Sequence, residues 1–148
     1  SFRRFERSWQ WADYWAVVVP PEGVTPVTAQ ANRYLAAVAA LEEQQRWHPA
    51  RQGYLAASRR WPENPNSYMG LGNMAYHQGD YAQAEQHFRE AIGADAEAPA
   101  GYYNLAWALL RQYQHSDSLA AATKAQQLAP EHPRYGSARQ QLKDAADH

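Results

Sequence analysis

At 148 residues with 45% apolar residues and no cysteine, the chain is long enough to bury one core, and it excludes disulfides, zinc-thiolate sites and thiol nucleophiles within these residues. Its 14 basic and 15 acidic residues leave a formal charge of −1, which supplies no field to gather a nucleic acid, so nucleic acid is not a partner. The longest apolar run of the helical part, Leu35 to Leu41, falls far short of the roughly 20 residues of a membrane-spanning helix.

The chain opens on SFRRFERSW, where Phe2, Phe5 and Trp9 form one helical stripe beside Arg3, Arg4 and Arg7; this predicts a short helix. YWAVVVPP follows, a β-branched run through Val17, Val18 and Val19 that Pro20 and Pro21 stop, and it reads as a strand. A lone strand cannot satisfy its backbone groups. Its sheet is therefore expected elsewhere, in an upstream domain, in a partner, or in a second copy of the chain that would make a homodimer through this segment. Trp9, Trp11 and Trp15 beside the arginines also fit an anionic lipid surface, but a helix under three turns binds lipid weakly, so a membrane partner is disfavoured. The start at Ser1, with no signal-peptide core, reads as a piece of a longer product. Residues 1–23 are taken as the tail of another domain and 24–30 as a linker.

From residue 31 the chain aligns with itself at a spacing of 34 residues, in segments 31–64, 65–98 and 99–132. Position 4 of each segment is Tyr34, Tyr68 and Tyr102, and position 27 is Ala57, Ala91 and Ala125. Position 20 holds Ala50, Ala84 and Ser118, position 8 Val38, Gly72 and Ala106, and position 24 Tyr54, Phe88 and Ala122. Two antiparallel helices can approach closely only where small residues face each other, and large residues at positions 4 and 24 then fill the space between pairs. In the middle segment Gly79 suits a turn, and Asp80 is an N-cap with Gln83 three residues on. The third segment has Tyr113-Gln114 in place of Gly-Asp, which predicts a less regular turn and a second helix capped at Ser116. In the first, Val38 replaces a small residue, Pro49 falls near a helix start and Gly53 within that helix; the second helix is expected to begin between His48 and Ala50. After Pro130, Pro133 starts a further helix with Tyr135, Ala138 and Leu142 on one side and Arg139, Lys143 and Asp144 toward solvent. The fold predicted is an all-α solenoid of three helix-turn-helix repeats, with a polar capping helix over 133–147.

These positions closely resemble the tetratricopeptide repeat. The resemblance implies that positions 2, 5, 6, 9, 12 and 13 of each first helix face a concave groove that holds a peptide. The middle repeat then supplies Asn66, Met69, Asn73, Tyr76 and His77, and the third Tyr103, Asn104, Trp107, Leu110 and Arg111. Side-chain amides donate to and accept from a peptide backbone, and the aromatics offer apolar area with a polar edge. Arg134 joins this set from the capping helix. Some members of the family clamp the terminal carboxylate of a chaperone tail with added lysines and arginines; here Asn73, Asn104 and Arg134 match, but Met69 and Ala138 stand where two of the cations would be. That disfavours a chaperone tail.

No catalytic constellation, cofactor motif or metal set emerges. The six histidines do not pair at helical spacing, MGLGNM lies inside a helix where Gly70 and Gly72 serve packing, and no serine sits in a Gly-x-Ser-x-Gly setting. Residues 1 to about 21, Ser-Phe-x-x-Phe-x-x-x-Trp and then a strand ending in Pro-Pro, resemble the close of a bacterial papain-like cysteine peptidase domain of the double-glycine, bacteriocin-processing group, some of whose members continue into tetratricopeptide repeats. The resemblance implies that any nucleophile lies upstream of Ser1, and that the chain is an accessory domain of the bacterial cell envelope. Without such a parent it would be a cytoplasmic adaptor or assembly factor.

Overall fold

The structure, a computed structural model, describes residues 26–147, and the helix and strand expected within 1–23 lie outside the described residues. Among the described residues are seven helices: α1 (Pro26–Glu43), α2 (Trp47–Arg60), α3 (Pro65–His77), α4 (Tyr81–Ala94), α5 (Pro99–Arg111), α6 (His115–Leu128) and α7 (Pro133–Ala146). They divide into two compact units, one ending at Pro62 and the other running from Glu63 to the C-terminus. α1 begins inside the stretch read as a linker, with a proline as its first residue, a position where the missing N–H costs nothing.

In the first unit α1 packs against α2. Its two irregular residues explain each other. Val38 is fully buried, and a Cβ added at Gly53 would lie 2.6 Å from its Cγ2. Gly53 therefore makes room for the branched side chain that occupies the usual small position. α2 starts at Trp47, one residue earlier than expected, with Pro49 in its first turn. The buried Tyr54 donates its hydroxyl to Glu42 Oε1 at 2.7 Å; burial first, then this bond, push the phenol above its ordinary pKa. Tyr34 packs its ring against Trp61 at 5.5 Å between centroids.

The second unit stacks α3 to α7, each helix on the next, with α3 also touching α5 and α5 touching α7. Pro65, Pro99 and Pro133 each stand at the start of a helix in this unit, so α7 repeats the first-helix register. The core is built from Ala75, Ala84, Phe88, Leu105, Ala106, Ala108 and Leu109, with Ala121, Ala122 and Leu142. A Cβ on Gly72 would fall 2.3 Å from the Phe88 ring. The third repeat carries Ala106 and Ala122 at these two positions, both fully or nearly fully buried; a smaller partner permits the methyl. The buried Ser118 donates to the Ala106 carbonyl at 2.7 Å, which satisfies a hydroxyl at the tightest point of the pair. In α7, Tyr135, Ala138 and Leu142 are buried, and Lys143 and Asp144 are exposed. Arg139, expected in solvent, is half-buried and donates from Nε to Thr123 Oγ1 at 3.2 Å.

The three turns within the repeats share one geometry. Gln45, Gly79 and Tyr113 donate to the carbonyls of Glu42, Tyr76 and Leu110, and Arg46, Asp80 and Gln114 to those of Leu41, Ala75 and Leu109. This is the paired Schellman pattern, which needs a left-handed residue. Gly79 meets it at φ 83°, while Gln45 and Tyr113 are held at φ 59° and 60°. The expectation of a less regular third turn is thus corrected: tertiary packing imposes the same bonds on an unfavourable residue. α6 starts at His115, not at a Ser116 cap. Gln114 takes the N-cap position without a side-chain bond, where Asp80 accepts from Gln83 N at 3.2 Å.

Two outcomes follow from this packing. Gly53→Ala should lower the unfolding free energy by about 1–2 kcal/mol, because overpacking exceeds the ~1 kcal/mol helix preference for alanine. In a Val38→Ala background the same change should be stabilising, and denaturant unfolding of the four proteins of the cycle measures the difference; equal effects in both backgrounds would contradict the contact. Tyr113→Gly with Gln114→Asp should raise stability by about 1–2 kcal/mol, by relieving the left-handed residue and adding a cap. Urea midpoints of the double variant and the parent decide it.

Candidate peptide-binding groove

The first helices of the second unit, α3, α5 and α7, carry every residue of the predicted site. α3 and α5 come close enough for Asn104 Nδ2 to donate to Asn73 Oδ1 at 3.1 Å. That bond leaves the Asn73 amide N–H pair and the Asn104 carbonyl oxygen without a further partner among the described residues. The pair therefore still offers one kind of donor and one acceptor, the two groups a peptide unit bonds to. Over them opens a cavity of about 220 Å³ lined by Asn73, Tyr76, His77, Phe88, Asn104 and Trp107. Five of these six lie in the predicted set. The sixth, Phe88, belongs to the second helix α4 and is core by its repeat position; nothing in the first-helix spacing points to it.

Arg111, the last residue of α5, is fully exposed. Its Nε donates to the Tyr76 hydroxyl at 3.1 Å, and its guanidinium carbon lies 5.9 Å from the centre of the Tyr76 ring and 5.8 Å from that of Tyr81. The Tyr76 bond, the largest influence on this group, raises the arginine above its ordinary value and keeps it cationic. Tyr81 is placed by Gln112, whose Nε2 donates to the Tyr81 carbonyl at 3.3 Å and to Glu85 Oε1 at 3.0 Å. The groove spacing missed Tyr81 because it opens the second helix of its repeat. Its ring meets that of Tyr76 edge-on at 5.2 Å.

Tyr103 serves two neighbours. Its ring stands edge-on to Trp107 at 6.2 Å and tilted against Tyr135 of α7 at 5.4 Å, and Tyr135 stacks on His132 at 4.4 Å. The row runs from the cavity wall to the last helix, so Tyr103 both extends the aromatic surface and covers α7. Six predicted residues do not line this cavity: Tyr103 stands beside its Trp107 wall, Leu110 and Arg111 line a neighbouring hollow, and the other three lie apart from both. Asn66 and Arg134 are exposed, and Met69 is half-buried against the core. In the first unit, Leu35 is buried and Glu42 is engaged by Tyr54, so those two first-helix positions serve packing. Among the described residues no three His, Asp or Glu side chains gather as metal ligands, and no helix is long and apolar enough to cross a membrane.

Comparison with known proteins agrees with this architecture. Two family profiles described as tetratricopeptide repeat match residues 35–99 and 75–142. The helical repeats of this chain are tetratricopeptide repeats, and the chain belongs to that family. No curated protein matches the chain significantly. Among solved structures, the first such domain of Spaghetti (RPAP3) bound to the HSP90 peptide SRMEEVD is similar at a TM-score of 0.72 and 14% identity, over 80% of this chain and 94% of that one. The Yersinia enterocolitica type III secretion chaperone SycD, in complex with a peptide of the translocator YopD, is similar at 0.69 and 16%, over 78% and 93%. A Thermobaculum terrenum O-GlcNAc transferase gives 0.69 and 19% over 80% of this chain, but only 23% of that longer one. At these identities the likeness is one of fold.

Proposed function

We propose that this chain is a non-catalytic protein- and peptide-binding module, with an extended segment of its partner lying across α3 and α5. The observation that carries the reading is the half-satisfied Asn73–Asn104 pair on the floor of an aromatic cavity. Side-chain amides flanked by Tyr76 and Trp107 suit a peptide main chain and one large side chain, and His77, the acid-base group of the lining, has neither a carboxylate nor a serine beside it among the lining residues. The peptide-bound states of Spaghetti and SycD support this use of the fold. A chaperone tail remains disfavoured, since half-buried Met69 and buried Ala138 offer no charge to a terminal carboxylate.

Panning a random peptide library on the chain tests the reading. Selected peptides should lose about 2 kcal/mol or more of affinity with Trp107→Ala, the loss of a buried aromatic anchor, and a smaller amount with Asn104→Ala. Trp47→Ala, an exposed tryptophan of the first unit, should leave them unchanged. Selected peptides that bind a folded Trp107→Ala variant undiminished would remove this cavity from the site.

The pattern of residues 1–21 extends the proposal to a module that positions a substrate for a cysteine-peptidase-like domain. An immunoblot of source cells tests that extension: a band at least twice 16.8 kDa is expected, and a band near that mass would discard it.

A further inference from the structure

We propose that a second hollow, beside Arg111, is a further subsite of the groove and takes an acidic residue adjoining an aromatic or large aliphatic one; this rests on the peptide-binding reading above. The hollow, about 370 Å³, is lined by Tyr81, Trp107, Leu110, Arg111, Tyr113 and His115. Trp107 lines both cavities, so a chain leaving the first passes directly to the second. Asn104 and Arg111 stand two helical turns apart, about 10 Å along α5, which an extended peptide covers in about three residues.

Charge selects the occupant. Neither α3 nor α5 contains an aspartate or glutamate. The carboxylates of the neighbouring helix are engaged: Asp80 caps α4, Glu85 accepts from Arg89 and Gln112, and Glu90 pairs with His87. Arg111 uses Nε for Tyr76 and has no partner for its two terminal nitrogens among the described residues. The bond to Tyr76 and the contacts with two rings hold the guanidinium in a set plane, ready for a two-point bond to a carboxylate. The end of α5 opposes a negative group only weakly, because the carbonyls of Leu109 and Leu110 already accept from Gln112, Tyr113 and Gln114.

Apolar surface lies beside the cation. Tyr113 is 84% exposed and is held in its turn by the bond to Leu110 O. With Trp107 and Leu110 it walls a space suited to an aromatic or branched side chain next to the acid. An exposed tyrosine at a left-handed position gains nothing within the described fold. A bound apolar side chain would cover it.

The test uses two small probes, N-acetyl-Asp-Phe-amide and its neutral isostere N-acetyl-Asn-Phe-amide, titrated into the labelled protein and followed by NMR. The reporters are the Trp107 indole N–H, the Arg111 Nε–H and the side-chain amides of Asn73 and Asn104. The acidic probe should shift the Trp107 and Arg111 signals with half-saturation at a roughly five-fold lower concentration than the neutral one, as charge-assisted bonds require. Arg111→Gln should erase that difference, and Arg111→Lys should restore only part of it. Equal half-saturation for the two probes, or no response at Trp107 and Arg111, overturns the subsite. In either case, a saturable response at Asn73 and Asn104 would leave the groove reading standing and its absence would remove both, so the two failures are distinguishable.

Discussion

The close approach of paired helices across small residues is the constraint on which the rest depends. At Gly72 the backbone of α3 lies so near the Phe88 ring that a methyl group has no space, and Ser118 meets the Ala106 carbonyl at 2.7 Å. Such contacts are productive only because each removes area from water on both sides at once. Where one residue of a pair is large, its neighbour is reduced, as Gly53 is beside Val38. The size of one residue of a pair thus limits the size of the other.

Close packing also dictates the turns. With both helices positioned, the link between them has one way to satisfy its backbone, and the same two hydrogen bonds recur at Gln45, Gly79 and Tyr113. Only the glycine suits the left-handed angle. The other two show tertiary packing outweighing a local penalty of about 1–2 kcal/mol. The unit tolerates this because the strained residues are exposed in their turns and disturb no packing.

The surface of the second unit divides electrostatically by helix. α4 carries its acids in bonded pairs with Arg89, His87 and Gln112, while α3 and α5 hold amides, aromatics and a single arginine. The groove is consequently neutral at the Asn73–Asn104 pair and cationic at the end of α5. In the binding mode proposed above, a ligand is read along that axis by main-chain bonds first and by side-chain character after. The aromatic row from Trp107 through Tyr103 to Tyr135 joins the same surface to α7, so the last helix supports the site as well as closing the core.

The amino-acid sequence by itself determined the repeat register, the helical class, the Asp80 cap and the polar face of α7, because these depend on spacings within one helix or one turn. That Asn73, Tyr76, His77, Asn104 and Trp107 share one surface was implied by the resemblance of these residues to the tetratricopeptide repeat, whose positions each have an assigned face. Tertiary structure alone decided what happens between helices: that the two asparagines bond to each other, that Arg111 lies over Tyr76 and Tyr81, and that Phe88 reaches the cavity. Asn66 and Arg134 fell outside the cavity, and Met69 turned to the core, for the same reason. Periodicity specifies direction around a helix axis, whereas contact depends on the distance and crossing of two axes, which the side chains of both helices set together.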